Sequence, residues 1–205
     1  LAPPQPRPVL VIYEDGSLAA IVSGQTLALS ESRPSTFIVE QWQRALRAGS
    51  LVKPIANGTA KTPQAPKGQR LTDEDIRQGR AEMKKSLAEA PADRFVCRDR
   101  HWCVARLDSG LTIIVAQNGG YVGAACDMAD IVVTPARLKW DRCRSGAELV
   151  SSQSLRRTGS LEVYVTQSDY APPVVHFVGA LASVERPWSR HRLYDWRTDS
   201  FASAN

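Results

Sequence analysis

The sequence predicts an α/β sandwich of mostly antiparallel strands with flanking helices, on three observations. Short runs alternate apolar and polar residues with a period of two and are bounded by Gly, Asp and Ser. Two other segments instead have helix starts and apolar residues at helical spacing. Their order, β-β-β-α, α, β-β-β, α, β, β, β-β, disfavours a helical bundle or an all-β barrel.

Taken in order, Val9 to Tyr13 is a β-branched run, Glu14-Asp15-Gly16 supplies a turn, and Leu18 to Val22 returns as a second strand. A second turn at Ser23-Gly24-Gln25 leads to a third strand, Thr26 to Leu29. Pro34-Ser35-Thr36 then opens a helix in which Phe37, Val39, Trp42, Ala45 and Leu46 recur at helical spacing, with Trp42 read as core. Residues 49–71 hold Pro, Gly, Thr and Lys with little periodicity, so a mobile insertion is expected there. Thr72 followed by Asp73, Glu74 and Asp75 is a helix start whose acidic first turn suits the helix dipole. That helix, with the weak pattern Ile76, Ala81, Met83 and Leu87, is expected to lie on the surface and to close at Pro91.

From Arg94 a three-strand meander follows: Phe95 to Cys97, Trp102 to Leu107 and Leu111 to Ala116. Asn118-Gly119-Gly120 breaks it, Val122 to Met128 is read as one or two helical turns, and Asp130 to Thr134 as a buried strand ended by Pro135. Glu148 to Ser151, a helical turn over Ser152 to Arg157, and strands at Ser160 to Thr166 and Val174 to Val178 complete the domain.

The chain has 205 residues, 43% of them hydrophobic, and a net charge of +5, which fits one domain and suits an anionic partner. Residues 1–8 are expected to be a proline-rich linker, 9–183 the domain and 184–205 a basic-aromatic tail. The lead LAPPQPRP has no initiator Met and reads as a piece of a longer polypeptide. No apolar run approaches the ~20 residues needed to span a bilayer, so the chain as given is expected to be soluble.

Four cysteines, Cys97, Cys103, Cys126 and Cys143, lack the spacing of a zinc knuckle. Three disulfide connectivities are open. Sequential pairing is favoured because Cys97 and Cys103 flank a hairpin turn, and a Cys126–Cys143 bridge would contribute on the order of 3 kcal/mol by loop closure. Paired cysteines imply an oxidising compartment, and the alternative is four reduced, buried thiols. His101, His176 and His191 are scattered, and neither a Gly-x-Ser-x-Gly elbow nor a Gly-rich phosphate loop is present. Hydrolysis by a nucleophile or a metal therefore has no identifiable seat.

Three basic-aromatic clusters remain as candidate binding residues. The first is Arg98, Arg100, His101 and Trp102, and the second is Arg137, Lys139, Trp140, Arg142 and Arg144. The third holds Arg186, Trp188, Arg190 and Arg192, with His191, Tyr194, Trp196 and Arg197 beside them. Cations pair with phosphates and flat rings stack on unpaired bases, which suits single-stranded nucleic acid. The plainer reading is solvated loops whose rings pack on Arg stems.

Several stretches occur in a telling order: VLVIYEDGSLAAIV, FIVEQWQRAL, FVCRDRHWCVARLDSGLTIIVA, CDMADIVVTP, DRC, SSQSLRRTGSLEVYV and Arg186-Pro187-Trp188. Together they resemble the soluble C-terminal region of the ComEC family of DNA-uptake competence proteins, in its alphaproteobacterial form. The likeness covers most of residues 8–190, without about 50–92. It implies an inner-membrane channel that passes one DNA strand into the cytoplasm during natural transformation, with this region on the periplasmic side.

Its implied partners are DNA, single-stranded above all, the transmembrane part of the same polypeptide and other DNA-uptake proteins, with an anionic lipid surface as a further candidate. Many members of the family carry a metallo-β-lactamase-like domain here, whose activity depends on a His-x-His-x-Asp-His cluster. This sequence has no such cluster, so the resemblance implies a degenerate metallo-β-lactamase-like sandwich without metal or catalytic residues, stapled by disulfides. The rival expectations are a nuclease that degrades the strand not imported, and a structural or partner-docking domain.

Overall fold

The computed structural model describes residues 6–57, 71–168, 171–181, 192, 194–195 and 199–201. Among them the chain forms two six-stranded mixed sheets, a two-stranded ribbon and four α-helices.

The opening meander is β1 (Leu10–Ile12), β2 (Ala19–Ser23) and β3 (Thr26–Leu29), each paired antiparallel to the next. Helix α1 (Thr36–Leu46) crosses back so that β4 (Ser50–Val52) pairs parallel with β3. The chain then passes into the second sheet, where β5 (Ile55–Ala56) pairs parallel with β6 (Val96–Arg98) across α2 (Asp73–Glu89). Thus the expected insertion over 49–71 needs correction: its first part is two short edge strands, while 58–70 lies outside the described residues. Strands of two or three residues are held by the ladder of a neighbour and leave almost no periodic trace in sequence.

β7 (Trp102–Arg106) and β8 (Thr112–Val115) continue the second sheet antiparallel, and α3 (Val122–Cys126) returns the chain to β9 (Ile131–Thr134), parallel to β8. β10 (Glu148–Ser151) is parallel to β9, and α4 (Ser152–Thr158) leads to the long antiparallel pair β11 (Leu161–Ser168) and β12 (Ala171–Gly179). β11 pairs with β1, which closes the first sheet in the order β12-β11-β1-β2-β3-β4. The second sheet runs β10-β9-β8-β7-β6-β5. The ribbon is β13 (Tyr194–Asp195) with β14 (Ser200–Phe201).

Alternation of side chains across the strands explains the layering. Leu10, Ile12, Ala19, Ile21 and Ala28 of the first sheet share one buried cluster with Cys103, Ala105, Ile113, Val115, Ile131 and Val133 of the second. The opposite faces are covered by helices. Val11, Ala20, Leu27 and Leu29 pack with Val39 and Leu46 of α1. Trp102, Val104, Ile114 and Val132 pack with Met83 of α2 and Val122 and Ala125 of α3. The result is a four-layer arrangement, helix, sheet, sheet, helix. Strands β8 and β9 are buried on both faces, which is why both are near-continuous apolar runs.

Two helix details differ from the expected pattern. Phe37 is 70% exposed and Ala45 is also exposed, so the apolar stripe of α1 is narrower than its spacing implies. Trp42 is half-buried at a cavity of about 220 Å³ between α1 and β11–β12. Helix α2 has the expected Thr72 cap, in a reciprocal box with Asp75, but its weak stripe is anchored by fully buried Met83. Gly79 permits that seating, since a Cβ there would lie 2.3 Å from Cε1 of Tyr121.

Candidate nucleic-acid interface

β5, β6, β8, β9 and β10 run in one direction, so the segments leaving their C-terminal ends gather along one rim of the second sheet. The β6–β7 turn holds Arg98 to His101, closed by the His101 amide donating to the Arg98 carbonyl at 3.0 Å. The Asn118 amide donates to the His101 carbonyl at 3.1 Å, which ties the segment after β8 to this turn. Gly119 sits against Ala136, where an added Cβ would be 2.9 Å from the Ala136 Cβ, and the Ser152 hydroxyl donates to the Ala136 carbonyl at 3.2 Å.

The first sheet meets this rim through the β1–β2 turn. Gly16 has φ +77°, and a Cβ there would lie 2.7 Å from the Thr134 carbonyl oxygen. From the same turn Glu14 accepts a hydrogen bond from Arg192 at 2.8 Å, and the Arg156 Nε donates to the Arg192 carbonyl at 3.0 Å.

The rim carries charges of both signs. Burial, with the carboxylates of Asp15 and Asp99 behind it, raises the pKa of Glu31. Burial also raises that of the Tyr13 phenol, helped by Glu14 and Asp15 and opposed by Arg192. In the sequence Asp99 is visible as an acidic residue within the first basic cluster, but its grouping with Asp15 and Glu31 is not, because Glu14-Asp15 reads only as turn chemistry and Glu31 lies far away.

The segment between β9 and β10, residues 135–147, has no regular secondary structure and is held by discrete anchors. At its start the Ala136 amide donates to the Thr134 hydroxyl at 3.1 Å, and Leu138 packs partly buried on the outer cluster of the second sheet. At its end Cys143 is 7% exposed and disulfide-bonded to Cys126, and the Ser145 hydroxyl donates to the Cys126 carbonyl. Between these anchors Lys139, Trp140 and Arg142 are exposed, flanked by exposed Arg137 and Arg144.

No family model, curated protein or solved structure matches this chain.

The predicted binding residues therefore separate by their surroundings. Trp102 is a correction: it is 0% exposed in the core beneath α2, where no base could reach its face. Arg98 is another, because its guanidinium is mostly covered and ion-paired with Glu82 of α2. Arg100 is exposed in the turn beside Asp99. Arg137, Lys139, Arg142 and Arg144 are exposed and have no ion pair or side-chain hydrogen bond among the described residues. Arg192 is engaged with Glu14, while Arg186, Trp188 and Arg190 lie outside the described residues, as do His191, Trp196 and Arg197.

The cysteines are joined sequentially, Cys97 to Cys103 and Cys126 to Cys143. Cys97 and Cys103 face one another across β6 and β7 with Cα atoms 4.0 Å apart, as the hairpin spacing implies. Among the described residues no three His, Cys, Asp or Glu side chains are grouped as metal ligands, and no helix is long and apolar enough to cross a membrane.

Proposed function

We propose that this chain is a non-catalytic periplasmic domain of an inner-membrane DNA-import channel of the ComEC kind, and that it contacts DNA. The observation that carries this reading is the anchored segment after β9, which holds four exposed cations with no ion pair or side-chain hydrogen bond among the described residues. Among the described residues most other arginines are engaged: Arg44 with Glu40, Arg77 with Glu74, Arg80 with Asp127 and Arg98 with Glu82, and Arg7, Arg94 and Arg106 on backbone carbonyls. Cations left exposed on a segment anchored at both ends suit phosphate, because each contact releases condensed counterions.

Further support comes from the sequence resemblance and from the two disulfides, which accord with an oxidising compartment. The four-layer sandwich agrees with a degenerate metallo-β-lactamase-like domain, and the missing His-x-His-x-Asp-His cluster supports a role without catalysis.

Fluorescence anisotropy of labelled DNA in chelator, across a salt series, tests the proposal. Affinity is expected to fall steeply with salt. Arg137→Ala, Arg142→Ala and Arg144→Ala together are expected to flatten the log–log slope by roughly 0.7–0.9 per lost phosphate contact. Absence of binding at low salt would overturn DNA contact. Metal-dependent cleavage by scrupulously purified protein would overturn the non-catalytic part.

A further inference from the structure

We infer that the segment 135–147 is a single-strand-selective contact, in which Trp140 stacks on an unpaired base and the Cys126–Cys143 disulfide holds the segment in its binding shape. This deepens, and rests on, the reading of the domain as a DNA-contacting one. Three independent observations carry it.

The first is the state of Trp140. It is 42% exposed, whereas the other tryptophan of a predicted binding cluster among the described residues, Trp102, is wholly buried. A large ring with much of its surface in water, flanked in sequence by exposed Lys139 and Arg142, leaves apolar area open to a planar ligand. Bases in a duplex keep their faces stacked on one another, so such a ring discriminates for an unpaired strand.

The second is charge. Over Arg137 to Arg144 there are four cations against one carboxylate, Asp141, and none of the four cations is ion-paired among the described residues. A chain of phosphates with bases attached matches both features at once.

The third is anchoring without secondary structure. Ala136 and Leu138 fix one end, and buried Cys143, with the Ser145 hydroxyl on the Cys126 carbonyl, fixes the other. Holding the segment before the ligand arrives removes much of the ordering cost from binding. Removing the disulfide frees one of the two ends, so affinity depends on that bridge.

Anisotropy with a labelled pyrimidine single strand and the matching duplex tests this on the full chain. Trp140→Ala is expected to weaken single-strand binding by roughly 5- to 150-fold, the span of one stacked base, and to change duplex binding less than about twofold. Trp140→Phe should keep most of the single-strand affinity. Cys126→Ser with Cys143→Ser should weaken it several-fold while Cys97–Cys103 stays intact. Should that pair of substitutions unfold the protein, the contrast between Ala and Phe at the exposed position 140 still decides the stacking role.

Wild-type binding to DNA that Trp140→Ala leaves unchanged, or weakens equally for both forms, overturns this inference and leaves the broader DNA reading standing. No DNA binding by the wild type overturns both. Trp140-dependent co-sedimentation with phosphatidylglycerol vesicles, without DNA affinity, also overturns it and assigns the segment to lipid headgroups.

Discussion

Glu31 illustrates how a single side chain records the approach of the two sheets. Its carboxyl is pushed up first by burial and then by Asp15 and Asp99, groups delivered from the β1–β2 turn and the β6–β7 turn. A folded-state pKa above the unfolded one means that the native chain holds the proton more tightly. Stability is therefore lost as pH rises from the ordinary glutamate value through the folded one, and is recovered on acidification through that same window. Glu31→Gln is expected to raise the denaturation midpoint at pH 7 and to make no difference below about pH 4, where unfolded glutamate is itself protonated. Equal midpoints at pH 7 would sink the assignment. Trp102 and Trp140 make the complementary point: both sit beside arginines in sequence, yet one is core and the other half-exposed. Composition marks the cluster, and only the strand phase separates them, since Trp102 shares the face of Val104 toward α2.

Among the elements, α2 shows what sequence patterning conveys and what it withholds. Its cap is legible, because Thr72 and Asp75 satisfy each other within one turn. Its seating is less so, because it depends on Gly79 meeting the ring of Tyr121 from a distant segment. An alanine there gains ~1 kcal/mol of helix propensity but forces the buried ring or the helix to move, at about 1–3 kcal/mol. Gly79→Ala is thus expected to lower stability by about 1 kcal/mol, measured by urea denaturation, and a stabilised variant would show that the ring yields freely. The double-faced strand β9 and the sequential disulfides are also legible, the first as an apolar run and the second from the hairpin spacing, whereas β8 reads only as the third strand of a meander. Strands β4 and β5 were not, because a two- or three-residue edge owes its form to the neighbour it borders.

At the scale of the whole molecule, the layering follows from alternation once the strands are placed, yet the parallel pairings could not be read from any one segment. Among the described residues three of the four arise because α1, α2 and α3 each carry the chain back across a sheet, aligning β3–β4, β5–β6 and β8–β9, and the fourth, β9–β10, because the segment 135–147 returns the chain without a helix. The rim that bears the candidate contact exists only because these crossovers place several strand ends together. Residues distant in sequence, such as Glu14, Asp99 and Arg137, gain a common setting from that topology.

The pairing of Leu10 with Val163 sets a schedule for synthesis. β1 lies inside its sheet, but the strand on one of its sides, β11, is made last but one in the two sheets. At ~5–20 residues per second, the ~150 residues between them leave one edge of β1 bare for on the order of ten seconds or more. During that interval an apolar edge is exposed to other nascent chains. A chain ending at Gly159 is expected to aggregate at concentrations where the full chain stays dispersed by light scattering, and adding residues 160–181 as a separate peptide should relieve it.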